Sequence, residues 1–203
     1  MNNLLNSNDA VTESICQLIE IHCENWVLRA DAGKPSIQQF FSQKEIPLPK
    51  PTQVQNLVQT GGTEITGLGI STDESWWLVP QESHLKTSNS SFSVQLASLV
   101  EEHNKQENER TLALIEQSAA YKSYQLSGIE NAATELLTHL ISYDWYGLQN
   151  SVGVSENKVI STVMQSVPIV IYSLDASHHY KLLIRRSFAD YALSLMQHTA
   201  QLL

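Results

Sequence analysis

The stretch VTESICQLIEIHCENWVLR, Val11 to Arg29, decides how the rest of the chain is read. Val11, Ile15, Leu18, His22 and Trp26 recur at spacings of four, three, four and four, with Ile19 and Cys23 beside them. That is one face of an α-helix. Asp9 and Glu13 suit its start, Arg29 suits its end, and Gly33 with Pro35 stops it. On this reading the chain opens with a helix, and a mainly α architecture follows.

Working outward, residues 33–80 hold five of the six prolines and five of the eight glycines. Residues 33–63 therefore read as an extended linker inside a single domain of residues 1–203, with no helix of any length. IPLPKP, Ile46 to Pro51, has the composition of polyproline II. EITGLGI (Glu64 to Ile70) and SWWLV (Ser75 to Val79) are rich in β-branched and aromatic residues and flank the turn-like STDE, which predicts a hairpin.

Beyond Pro80 the pattern returns to helix. Phe92, Leu96, Leu99 and His103 share a face that fades into EEHNKQENER and resumes at Leu112, Ile115 and Ala119. Ser127-Gly-Ile-Glu130 has the form of a capping box, opening a helix whose stripe is Ala133, Leu136, Leu137, Leu140 and Ile141. An αα-hairpin over 92–146 follows. A short helix from Ser155 is ended by Pro168, and PIVIYSL reads as a buried strand over 169–174. A last helix spans Ser177 to Leu203 with Leu183 or Ile184, Phe188, Tyr191, Leu195 and Leu202 on its apolar face. The expected fold is mainly α (α+β): a helical hairpin, packed terminal helices and a sheet of two or three strands, with no internal repeat.

Composition narrows the function classes. With 42% apolar and 16% charged residues in 203, the chain can build a core without disulfides or metal. Cys16 and Cys23 would sit about 10 Å apart on one helix, too far to bridge, and read as thiols in a reducing compartment. MNNLLNSNDAVTES carries no basic residue and no apolar block, unlike a secretory signal. The charge-free run Val159 to Leu174 is interrupted by Pro168 and is too short to span a bilayer. A cytoplasmic protein of bacterial character with no membrane partner is expected.

The net charge of -9 argues against a dedicated nucleic-acid binder. It is uneven, however: residues 159–203 hold three basic and two acidic residues, a balance of +1, against -10 for the rest.

DASHHYKLLIRR, Asp175 to Arg186, concentrates that cationic character. At a strand-to-helix junction, His178, Lys181 and Arg185 would share a helical face beside free backbone N–H groups, a place for a phosphate or carboxylate. His178 and His179 are the candidate acid–base groups, with Lys181, Arg185 and Arg186 as anion-binding or interface groups. Asp175 or Ser177 capping the helix is the plainer alternative.

Glu135 and His139, four apart, are weak candidates for a metal, beside Glu20, His22, Cys23 and Glu24 on the first element. They lack the paired Glu-x-x-His of a di-iron centre, and no metal and no cofactor is expected. Trp76 and Trp77 alternate across a strand, so with one sheet face solvated one of them would be an exposed interface anchor, whereas helices covering both faces would make both rings core. No Gly-x-Ser-x-Gly, P-loop or complete dinucleotide fingerprint occurs.

The expected function is a non-enzymatic protein-interaction protein, namely an adaptor, chaperone or subunit of a larger assembly, acting through helical surfaces. Homo-oligomers are compatible with those surfaces. The alternative is an enzyme or small-ligand binder holding an anion at the start of the last helix. A weaker one is a small subunit of a nucleoprotein complex, with the basic helix on phosphate.

Overall fold

The structure, a computed structural model, describes residues 16–58, 62–81, 91–107, 111–129, 131–142, 158–173 and 179–203. The opening stretch is not a helix. Cys16–Ile21 forms strand β1 and Cys23–Arg29 forms strand β2, interrupted only at His22. In β1, Cys16 and Leu18 are buried and Gln17 is exposed, a period of two rather than 3.6. Ile19, Ile21, Trp26 and Val27 supply the branched and aromatic side chains that fit a pleated surface. Val11, Ile15 and the acidic pair Asp9 and Glu13 lie outside the described residues.

This correction changes the fold class, because the two strands seed two antiparallel five-stranded sheets. The architecture is α+β with extensive sheets and is not mainly helical.

The chain forms two compact units. The first, His22–Ser118, runs β2, α1 (Pro35–Gln43), β3 (Val54–Val58), β4 (Glu64–Gly69), β5 (Glu74–Pro80), α2 (Ser91–Gln106) and β6 (Ala113–Glu116). Its sheet order is β3-β4-β5-β2-β6. The second unit takes the described part of Met1–Ile21 together with Ala119–Leu203. It runs β7 (Tyr121–Gly128), α3 (Ala132–Leu140), β8 (Val159–Met164), β9 (Val167–Tyr172), β10 (Tyr180–Arg185) and α4 (Arg186–Ala200), and its sheet order is β1-β7-β10-β9-β8.

The units repeat one topology. Among the described residues each has a first strand, a helix, three strands and a second helix, and each sheet has the order second, third, fourth, first, fifth. In the second unit the fifth place is filled by β1, from the other end of the chain. The repeat lies in the connectivity, so the sequence shows none.

Each unit has its own core. In the first, Leu28, Ile65, Trp77 and Val79 on one sheet face meet Ile37 and Phe41 of α1 and Phe92, Leu96, Leu99 and Val100 of α2. Gly67 lies under the Trp77 ring, where a Cβ would come within 2.8 Å of it. In the second, Leu18, Tyr124, Leu126, Ile169, Ile171, Leu182 and Ile184 meet Ala133, Leu136, Leu137 and Leu140 of α3 and Ala192 and Met196 of α4.

Several expected elements hold. The 64–79 hairpin is β4 paired with β5, residues 168–172 of PIVIYSL lie in β9 while Leu174 is outside the described residues, and the buried faces of α2 and α3 are the ones read from spacing.

Others are corrected. Helices α2 and α3 are not a hairpin: β6 and β7 intervene and the helices belong to different units, while residues 143–146 lie outside the described set. Ser127 is in strand β7, and α3 starts at Ala132 after Asn131 with no side-chain cap bond. Glu130 is outside the described residues. Residues 159–164 are strand rather than helix, and Ser155 is also outside. Residues 33–63 contain α1 and β3, with Pro35 in the first turn of α1, where its missing N–H costs nothing. The last helix starts at Arg186, not at Ser177. Among the described residues no helix is long and apolar enough to cross a membrane.

Candidate functional site

Strand β10 places the cationic residues differently from a helix. Tyr180, Leu182 and Ile184 enter the core, so Lys181, Leu183 and Arg185 point to the other sheet face. Four residues of strand separate Lys181 from Arg185 by about 13 Å, whereas one helical turn would bring their Cβ atoms to about 6 Å. Fully buried Leu183 lies between them. Each cation instead rests near a tyrosine: Lys181 Nζ is 6.0 Å from the Tyr172 ring centre and Arg185 Cζ is 5.8 Å from that of Tyr121.

Arg186, the first residue of α4, donates from Nε to the Ala119 carbonyl at 2.9 Å and from its backbone N–H to Ala120 at 2.8 Å. His179 is exposed just before β10. His178, Asp175 and Ser177 lie outside the described residues. Lys181, Arg185 and Arg186 therefore do not converge on one small anion. The basic helix that motivated the nucleoprotein reading is a strand over Lys181 and Arg185.

The other candidates are also located. Trp76 and Trp77 are 5% and 0% exposed, so both are core and neither is an interface anchor. Trp76 Nε1 donates to Glu74 at 2.6 Å, and Trp77 packs against Phe92 with ring centres 5.4 Å apart. Glu135 and His139 are exposed on α3, and His139 Nδ1 lies 2.9 Å from the Glu135 backbone oxygen. Among the described residues no three His, Cys, Asp or Glu side chains are grouped to hold a metal. His22, on the helical face read from spacing and beside the weak metal candidates, is exposed at the joint between β1 and β2. Cys16 and Cys23, on those two strands, are not bridged by a disulfide, and burial, then Glu135, pushes the Cys16 thiol up.

A polar cluster in the second unit was not read from the sequence. Tyr124 on β7 stands opposite Glu20 on β1, and Lys122 Nζ pairs with Glu20 Oε2 at 3.4 Å. Arg186 and Asp190, from the start of α4, act on the phenol electrostatically. The Tyr124 hydroxyl is buried and has no hydrogen-bond partner among the described residues. Burial first, then Glu20 and Asp190, push its pKa up to about 12, while Arg186 opposes them. The phenol thus stays protonated at neutral pH, fitted to donate a hydrogen bond to a carboxylate or carbonyl but not to act as a base.

In the first unit, both amide atoms of Asn25 are likewise buried without partners. Its backbone is engaged on both sides, by the Ser118 hydroxyl at its N–H and by the Gln117 N–H at its carbonyl. Sequence could have found Tyr124 only through the β1–β7 register, which depends on reading β1 as a strand.

No protein-family model matches the chain, and no curated protein sequence matches it. Solved structures do. A chain of heterotetrameric sarcosine oxidase from Corynebacterium sp. U-96, in complex with pyrrole 2-carboxylate, is similar at a TM-score of 0.67 and 16% identity, over 94% of this chain and 87% of that one. Glycine cleavage system aminomethyltransferase T from Bartonella henselae is similar at a TM-score of 0.54 and 12% identity, over 91% of this chain. The match spans 46% of the aminomethyltransferase, about half its length. At these identities the likeness establishes a shared fold, and it agrees with the β-rich architecture described above.

Proposed function

We propose that this chain is a ligand-binding subunit of a multi-subunit enzyme, for which heterotetrameric sarcosine oxidase is the model. The observation that carries the reading is the end-to-end correspondence with one chain of that heterotetramer, 94% of this chain against 87% of the other. A correspondence of that extent pairs nearly all of this chain with most of that one, whereas the aminomethyltransferase match leaves over half of that enzyme uncovered.

The orphan hydroxyl of Tyr124, on which Arg186 acts electrostatically, with Lys122 paired to the neighbouring Glu20, supports a small carboxylate as the ligand. Buried donors are normally satisfied, and one that is not fits a missing acceptor. In this reading Tyr124 donates to a carboxylate oxygen. Lys122 and Arg186 supply positive charge, and Glu20 and Asp190 disfavour dianions.

The test has two arms. Native mass measured on the tagged chain from its own cells is expected well above 22.7 kDa, with other polypeptides in fixed ratio. Pyrrole 2-carboxylate is expected to raise the melting temperature of the wild type but not of Tyr124→Phe; a ligand at about 100 times its Kd stabilises by about 2.7 kcal/mol. A chain that stays alone contradicts the subunit reading, and equal or absent shifts in both proteins contradict the ligand site.

A further inference from the structure

Helix α4 buries Ala189, Ala192 and Met196 against its own sheet. Flanking that buried stripe, Phe188, Tyr191, Leu195, His198 and Leu202 follow at spacings of three, four, three and four, the a/d rhythm of a helix that packs against another helix, with Leu195 at the edge of the core. The bonds Gln201 N–H to Gln197 and Leu202 N–H to Thr199 carry the turn past Ala200. Phe188 is 40%, Tyr191 55% and Leu202 74% exposed, His198 is exposed and Leu195 is partly buried. Exposed apolar residues in such a run are unusual on a surface without a partner.

We infer that this seam pairs with the same seam of a second copy of the chain, α4 against α4 in antiparallel orientation. Two features select that occupant. The spacing is close to symmetric about Leu195: Phe188 and Leu202 lie seven residues to either side, Tyr191 four before and His198 three after. An antiparallel two-fold contact therefore sets Leu195 on Leu195, Phe188 on Leu202 and Tyr191 on His198 of the second copy.

Charge is the second feature. Each chain carries -9, so two copies repel at long range, and a self-contact is favoured where it adds no like charges at close range. From Tyr191 to Leu203 there is no Asp, Glu, Lys or Arg. A 15-residue helix is only about 22 Å long, which keeps the contact near or below the roughly 1,200 Å² of small stable interfaces, so the dimer depends on concentration. The pairing is available to the free chain and to two copies within a larger assembly.

Light scattering on the purified full chain, from about 1 μM to about 1 mM, is expected to show the mass rising from 22.7 kDa toward twice that value, at least as readily at high salt, which screens the repulsion between the two acidic chains, as at low salt. Tyr191→Glu, at an exposed position, is expected to remain monomeric throughout. Under mild oxidation Leu195→Cys is expected to give a disulfide-linked dimer, while Gln197→Cys, on a different face of α4, and the wild type do not. A wild type monomeric at every concentration overturns the inference. So does a Tyr191→Glu protein that dimerises as readily, or cross-linking that is equal at positions 195 and 197.

Discussion

Tyr124 shows how much a single side chain can report. Its hydroxyl titrates near 12 in the folded chain against an ordinary value of 10. Above pH 10 the unfolded chain gives up this proton while the folded chain keeps it. Stability is therefore lost as the pH climbs from 10 to about 12, by on the order of 2–3 kcal/mol. Tyr124→Phe is expected to be nearly neutral at pH 7, because no hydrogen bond is broken, and to lose less stability over that alkaline window. Urea unfolding of both proteins at pH 7, 10 and 11.5 checks this, and parallel losses would show that the phenol is solvated. None of it was legible from sequence, where Tyr124 is one aromatic among seven tyrosines. The same holds for Trp76 and Trp77: alternation predicts opposite faces, but not that both side chains are buried.

Elements were legible where one periodicity was unopposed. Phe92, Leu96, Leu99 and His103 are all buried on α2, as spacing predicts. Leu96→Ala should cost about 2–5 kcal/mol, whereas Val94→Ser, at a 57% exposed position of the same helix, should stay within about 0.5 kcal/mol, as read by denaturant midpoints. Comparable losses at both sites would mean that α2 presents another face. Legibility failed where turns lacked their usual residues. Strands β8 and β9 are joined through Gln165 and Ser166, with Gln165 at φ 56°, a left-handed conformation that glycine adopts more readily. Without a glycine or asparagine there, residues 159–164 passed for a helix stopped by Pro168. Gln165→Gly is expected to stabilise the protein by up to about 1 kcal/mol, and Gln165→Val to destabilise it, in the same unfolding assay.

For the whole molecule, the decisive unit of information was register. Lys181 and Arg185 read as neighbours on a helix and stand well apart on β10, and Glu20 meets Tyr124 only because β1 completes the sheet of the second unit. The anion cradle turns on residues 180–185 running as a strand, while fold class and the polar cluster turn on one question: whether residues 16–29 wind into a rod or run as two strands. The apolar residues there satisfy a helical spacing by coincidence, since β1 and β2 are short, consecutive and assigned to different sheets. Nuclear Overhauser contacts in the full chain decide it most directly. Cross-strand backbone contacts are expected between Leu18 and Leu126 and between Trp26 and Trp77, the register partners of β1–β7 and β2–β5. Sequential amide contacts with i to i+3 contacts running through Leu18 to Trp26, and none across those pairs, would contradict it.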